Sequence, residues 1–194
     1  MTLIEWSEGR WLHEPLTHAV VGSDLVITTA GNSDFWRTTG YGFTHYSGHA
    51  LLHEFPANTA MEVEFSADWT HEFDQAGIFL HADEAHWVKA GVEFADGVLG
   101  VGAVVTDDRS DWSVGHVPEW MGHRIRIRVS RTLDAITVRA RTDNDPWRLV
   151  RLAPIDPTLD WYAGPLAASP SRAGLQVAFH AWEEHPKDGN IHDS

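Results

Sequence analysis

Four side chains near the middle of the chain have the types and spacing to recognise a polar ligand. Trp87, Lys89 and Glu93 share one parity in the alternating run Trp87–Phe94, and Gln75 opens a second such run, Gln75–Leu80. A tryptophan face complements the apolar face of a pyranose ring, while glutamine, lysine and glutamate offer donors and acceptors to its hydroxyls. Lys89 and Glu93 are four residues apart, ~13 Å along a strand at ~3.3 Å per residue, too far to pair. Each therefore needs another partner or a ligand. Glu93 is also the side chain here best suited to act as a general acid or base.

These residues converge only if their strands pair in one register. Asp96-Gly97 is a type I′ hairpin signal. It sets Ala95 opposite Val98, Glu93 opposite Gly100, Gly91 opposite Gly102 and Lys89 opposite Val104. The loop near Asp83-Glu84-Ala85 then sets Gln75 opposite Glu93, Gly77 opposite Gly91, Phe79 opposite Lys89 and His81 opposite Trp87. Ala76, Ile78, Leu80, Val88, Ala90 and Val92 share the core face, and a slip of one residue would expose that whole set. The other face carries a row of glycines, Gly77, Gly91 and Gly102, flanked by Gln75, Trp87, Lys89 and Glu93. Glycine inside a strand marks the close approach of a ligand or of another backbone. The row is therefore either a binding floor or the seat of a neighbouring loop.

The remaining elements are of the same kind. Short alternating runs recur at Leu25–Thr28, Met61–Ser66, Arg124–Val129, Ala135–Ala140 and Gly174–Phe179, separated by Gly, Pro, Asn and Asp. This spacing predicts an antiparallel sandwich or barrel. Met61, Val63, Phe65, Ile125, Ile127, Val129, Leu175, Val177 and Phe179 fall on the inward face. Glu62, Glu64, Arg124, Arg126 and Arg128 fall on the outward one, as cross-strand ion pairs or solvated surface. At 194 residues and 43% hydrophobic content the chain suits one all-β domain over residues 1–182, followed by a polar tail over 183–194. There is no cysteine, which excludes disulfides and thiolate chemistry. A formal charge of −14 argues against nucleic acid or an anionic membrane as partner. The absence of a long apolar run and of a leader pattern points to a cytoplasmic protein.

Several blocks resemble a known family. They are Asp34-Phe35-Trp36-Arg37, Asp74-Gln75-Ala76-Gly77, Trp87-Val88-Lys89-Ala90-Gly91-Val92-Glu93, Ser110-Asp111-Trp112-Ser113, Gly164-Pro165 and Ser169-Pro170-Ser171-Arg172-Ala173-Gly174-Leu175. They are similar to the domain-of-unknown-function family labelled "regulation of enolase"-like, over roughly residues 5 to 182. The resemblance implies the concanavalin A-like lectin/glucanase fold, an all-β, two-sheet antiparallel jelly roll. That fold hosts lectins, hydrolases and interaction modules, so it does not specify an activity. In such jelly rolls the concave sheet binds ligand. Sugar-cleaving relatives carry a tight acidic motif on one strand. The nearest match here, Glu62-Val63-Glu64, is not on the glycine-floored strands, which weighs against hydrolysis.

Other constellations carry less. Trp36, Tyr41 and Trp112 lie near turns and could rim the trough. Asp74, just before its strand, is a second carboxylate for Glu93 or, by its position, a turn cap. Arg172 could meet an anionic group or fasten the last loop through a salt bridge. His45, His49 and His53 recur every four residues, yet in extended chain they would spread over ~26 Å, beyond one coordination sphere. Asp107, Asp108 and Asp111 could hold calcium, although no EF-hand-like spacing is present. No nucleophile elbow, phosphate loop or dinucleotide fingerprint appears, and no cofactor is expected.

The sequence thus favours non-catalytic binding of a small polar ligand, carbohydrate first, on the concave sheet. Gln75, Gly77, Trp87, Lys89, Gly91 and Glu93 form the candidate site, with Trp36, Asp74, Trp112 and Arg172 around it. A glycoside hydrolase or lyase using Glu93 is the alternative. A module that takes a peptide or loop from a protein partner is the third reading. An unpaired sheet edge would be the place for self-association.

Overall fold

The computed structural model describes residues 1–143 and 145–190. Strands β1 (Thr2–Leu3), β2 (Arg10–Trp11), β3 (Thr17–Val21) and β4 (Asp24–Thr28) come first. A small hairpin follows, β5 (Phe35–Arg37) and β6 (Thr44–Tyr46), then β7 (His49–Glu54) and β8 (Thr59–Ala67). The central strands are β9 (Asp74–His81), β10 (His86–Ala95), β11 (Val98–Asp107) and β12 (Arg109–His116). The chain continues through β13 (Ile125–Arg131), β14 (Ala135–Thr142), β15 (Arg148–Pro154), β16 (Tyr162–Ala168) and β17 (Gln176–Pro186). The helical elements among the described residues are two short 3-10 turns, Trp6–Glu8 and Pro118–Trp120.

These strands form two large antiparallel sheets. The first runs β15-β14-β13-β8-β17-β4-β3, with β1 added beside β17, and the second runs β12-β11-β10-β9-β16-β7-β2. Consecutive hairpin strands (β13–β15 and β3–β4 in the first sheet, β9–β12 in the second) alternate with long crossovers such as β13-β8, β8-β17 and β9-β16, as in a jelly-roll sandwich. The inward residues read from alternation are buried: Met61, Val63, Phe65, Ile125, Ile127, Val129, Val177 and Phe179 meet Ile78, Leu80, Ala90 and Val92 in one apolar cluster.

The central register is the one that the turn chemistry dictates. Ala95 pairs with Val98, Gly91 with Gly102 and Glu93 with Gly100. Gly77 pairs with Gly91, Gln75 with Glu93 and His81 with Trp87. Asp96 and Gly97 both have positive φ, at 53° and 74°, as a type I′ turn demands. On the outer face of the first sheet, Arg126 opposes Glu64 and Arg128 opposes Glu62. Arg126 pairs with Glu62 at 2.6 Å and also with Glu64, while Arg124 reaches Glu64 at 3.0 Å. These charges form a cross-strand ladder.

Two features differ from the sequence reading. The expected polar tail from 183 onward is still strand: β17 pairs with β8 as far as Pro186 opposite Thr59. Beyond it, the Asp188 amide donates to Ser130 Oγ at 2.9 Å and its carboxylate takes Arg128 at 2.8 Å. A sequence boundary drawn at the last large apolar residue, Trp182, misses this anchoring because it is made by polar groups. Residues 191–194 of the expected tail lie outside the described residues. The second feature is the β5–β6 hairpin, which sits on the outer face of the second sheet. Phe35 stacks on Phe79 with centroids 4.0 Å apart and meets Trp87 at 5.8 Å. Together with Ala50, Leu52, Val104 and Leu166 these rings make a second, smaller core.

Candidate functional site

The hairpin covers one half of the glycine-bearing face and leaves the other half open. At the open half is a cavity of about 320 Å³, a size suited to a small ligand. Gln75, Lys89 and Glu93 are on its sheet side. Trp36, Tyr41 and Phe43 come from the hairpin, Trp112 from β12 and Phe73 from the turn before β9. Asp34, His45, Val104 and Pro170 complete the lining. A narrow slot of about 30 Å³ runs against Gly91, Gly100 and Gly102. Gly77 lies outside both linings and faces Leu166 of β16 across the ladder.

The hairpin holds its shape by local bonds. Asp34 Oδ1 accepts the Phe35 amide at 2.8 Å, and Trp36 Nε1 donates to the Thr39 carbonyl at 3.0 Å. Gly40 and Gly42 supply positive φ in the turn. The Arg37 amide donates to Ser110 Oγ at 2.9 Å, which ties the hairpin to β12. Tyr41 then packs on Phe43 with rings 5.4 Å apart and nearly parallel.

The charges in the cavity are unequally satisfied. Lys89 Nζ donates to Asp34 Oδ1 at 2.9 Å and to Gln75 Oε1 at 2.8 Å, and the residue is only 8% exposed. Its positive charge is consumed inside the fold. Glu93 has no hydrogen bond or ion pair among the described residues. Burial pushes its carboxyl above the usual glutamate range; Lys89 opposes the rise, whereas Asp34 and Glu72 add to it.

Three residues expected at the site serve the fold instead. Trp87 is 1% exposed, stacked among Phe35 and Phe79, and its Nε1 donates to the Glu84 carbonyl. Alternation put it correctly on the trough face, but the hairpin closes over it and leaves no ring face for a ligand. Asp74 is fully buried. Its carboxylate accepts the Thr70 and His71 amides, Ser169 Oγ, and both Nε and Nη2 of Arg172 at 3.0 and 2.7 Å. Burial alone would raise this carboxyl, yet Arg172, the two amides and Ser169 hold it below the usual range. Arg172 accordingly fastens the loop before β17, with its guanidinium turned to Asp74.

The glycine row has a local cause as well. A Cβ on Gly77 would lie 2.1 Å from the Ala90 carbonyl oxygen, and one on Gly102 2.1 Å from that of Ser113. Neighbouring strands approach too closely there for any side chain.

Residues that the sequence reading did not single out for the cavity are Asp34, Phe43, His45, Phe73 and Pro170. Asp34 lies in one of the recurrent blocks and is followed by an aromatic pair, which is the signal that was available. His49, by contrast, is structural: Nε2 accepts the Ala30 amide at 3.0 Å and Nδ1 lies 3.2 Å from the His13 carbonyl. Asp111 pairs with Arg151 at 2.8 Å, and Asp108 lies 3.9 Å from Arg37. A cluster that the sequence did not suggest, Glu62, Glu183 and His185, brings ligand atoms within 4.8 Å of one another. Arg126 and Arg128 already neutralise it.

Residues 11–187 match the family described as "Protein of unknown function (DUF1349)". The chain belongs to this family. A relative in Saccharomyces cerevisiae, "Regulation of enolase protein 1", is 37% identical over 191 residues, covering 97% of this chain and 96% of the relative. The crystal structure of a functionally unknown protein from Saccharomyces cerevisiae superposes with a TM-score of 0.88 at 34% identity, over 96% of this chain and all of that one. A xylan beta-1,4-xylosidase from Bacillus halodurans shares the fold alone, with a TM-score of 0.75 at 10% identity, over 95% of this chain and 39% of the xylosidase. The two-sheet antiparallel sandwich described above is the fold that these structures share with this chain. No helix among the described residues is long and apolar enough to cross a membrane.

Proposed function

We propose that this family member binds a small polar ligand, carbohydrate first, in the cavity between the β5–β6 hairpin and the second sheet. The observation that carries the reading is that aromatic and polar side chains line one cavity: Trp36, Tyr41 and Trp112 share it with Gln75, Lys89 and Glu93. An aromatic wall above hydroxyl-binding groups is what a pyranose needs. The sandwich shared with carbohydrate-active enzymes is consistent with this, as fold-level analogy.

The test is intrinsic tryptophan fluorescence against neutral mono- and oligosaccharides, in the native protein and in Trp112→Ala. A saturable shift weakened at least about ten-fold in the variant, with unchanged melting, supports the reading. Silence across the panel from a folded protein moves the weight to a protein partner. That second reading is favoured by the exposed apolar rim of Tyr41, Phe43, Phe73 and Trp112 and by the relative's name. In it, the cavity takes a side chain from the partner.

Catalysis is a third reading, resting on Glu93. A carboxyl that burial raises above the usual glutamate range is shifted in the direction that a general acid needs. Its companion in the cavity, Asp34, is committed to Lys89 and to the Phe35 amide. Turnover of a bound glycoside that disappears in Glu93→Gln while binding persists would establish it.

A further inference from the structure

Among the described residues, Glu93 is the charge in the cavity without a hydrogen-bonded or ion-paired counterpart. The groups facing it are Gln75 across β9 and Gly100 across β11, Lys89 on its own strand, Asp34 and His45 from the hairpin, and Glu72 from the preceding loop. Among the described residues Lys89 is the one permanent cation lining the cavity, and Asp34 together with Gln75 already holds its ammonium. Glu72 Oε1 accepts the Asp96 amide at 2.7 Å and adds a further negative charge to the neighbourhood. Arg172 could have supplied the missing cation but is spent on Asp74. The local balance is negative, in a partly desolvated site where an unpaired carboxylate is costly.

The walls point the same way. Trp36, Tyr41, Phe43, Phe73 and Trp112 all line the cavity, and aromatic faces attract cations through their electron-rich π surfaces. A neutral polyol would use those faces only for apolar stacking. An anion would meet Glu93, Asp34 and Glu72 together.

Building on the reading that a small polar ligand enters here, we infer that the cavity selects a ligand carrying a protonated amine, seated between Glu93 and the aromatic walls. An amino sugar combines all three requirements in one molecule: a stacking face, hydroxyls for Gln75 and Lys89, and an ammonium for Glu93. The ligand supplies the cation that the sequence withholds. Neutral sugars bind more weakly, and uronic acids or sugar phosphates are rejected.

The experiment is isothermal titration of the whole chain, near neutral pH, with matched series. Each series contains a hexosamine (glucosamine, galactosamine or mannosamine), its N-acetyl derivative, the parent hexose and the corresponding uronic acid. The expected result is binding of a free amine about ten-fold tighter than its acetylated and parent forms, with the uronic acid weakest. In Glu93→Gln the amine preference collapses while the residual affinity for the parent hexose persists. A thermal melt of the variant shows whether it is folded, and Glu93→Asp, which keeps the charge, retains part of the preference. Equal affinity for amine and parent hexose, or a preference that survives Glu93→Gln, overturns the inference and leaves the small-ligand reading standing. Silence from every member of every series overturns both.

Discussion

Glu93 stands opposite Gly100 across β10 and β11, so the strand beside it offers no side chain to cover or neutralise its carboxylate. The other neighbour, Gln75, has its carbonyl oxygen turned to Lys89. Lys89 is thus anchored by Asp34 and Gln75, and Glu93 is left at the cavity surface with no hydrogen bond or ion pair among the described residues. Folding alone gains nothing from this arrangement, which makes Glu93 a carboxylate kept for something outside the fold.

The first consequence is measurable without any ligand. Because the folded carboxyl titrates above the unfolded one, the native state holds the extra proton between the two values. Stability therefore falls as pH rises through that window, and the deficit is complete above it. Glu93→Gln removes the titration. The variant should melt higher than the native protein at neutral pH, and the gap should close as pH falls below about 4, the ordinary glutamate range. Thermal melts across this range decide it; a variant that melts lower at neutral pH would mean that Glu93 has a stabilising partner.

The two tryptophans on the glycine-bearing face of the second sheet, Trp87 on β10 and Trp112 on β12, should behave in opposite ways. Trp87 is locked between Phe35 and Phe79, so Trp87→Ala opens a large void and should cost about 3–5 kcal/mol. Trp112 is 43% exposed, and Trp112→Ala should cost less than about 1 kcal/mol. Denaturant titration of the two variants gives the comparison. Only the second substitution is then a clean probe of binding.

This contrast also shows which parts of the molecule could be read from the chain. The β9–β10–β11 register rests on local chemistry, a positive-φ dipeptide and a period-two pattern, and both are visible within the single stretch from Asp74 to Asp107. The burial of Trp87 rests on Phe35, more than fifty positions earlier, in a segment whose Thr38–Phe43 turn has no strong alternation. Nothing local announces that this hairpin lies across the sheet. The same holds for Asp188, whose place is set by Ser130, Arg128 and Arg139. Gln75, Lys89, Glu93 and Trp112 could be gathered from parity and turn position, but Asp34, Phe43 and Phe73 depend on a long-range fold-over that periodicity cannot express.

Asp74 and Arg172 make a prediction for stability in acid. Asp74→Ala would take from the partly exposed Arg172 guanidinium and from the amides of Thr70 and His71 the buried carboxylate that they share. Breaking a buried pair from one side costs about 3 kcal/mol or more, which corresponds to roughly 6–12 °C in melting temperature for a chain of this length. The sign in pH is opposite to that of Glu93. Asp74 titrates lower in the folded state, so its contribution is fully present above the unfolded aspartate range and is lost as pH falls through the folded value. Melting temperatures of the native protein and of Asp74→Ala should converge in strong acid; parallel curves down to that range would disprove the role.

The glycine row makes the sharpest test of why its residues are glycine. A Cβ at Gly91 would lie 2.2 Å from the Ala76 carbonyl oxygen and 2.8 Å from the Gly77 Cα, both backbone atoms that cannot yield without parting β9 from β10. Overpacking of this kind costs roughly 1–3 kcal/mol. Gly115 on β12 provides the control, since a Cβ there meets nothing within 4 Å and its φ is not positive. Gly115→Ala should be neutral or stabilise by up to about 1 kcal/mol, by restricting the unfolded chain. If the two alanine variants prove equally stable, the row is not required by the approach of β9 to β10. The remaining explanation would then be clearance for a ligand, and Gly91→Ala would weaken binding without touching stability.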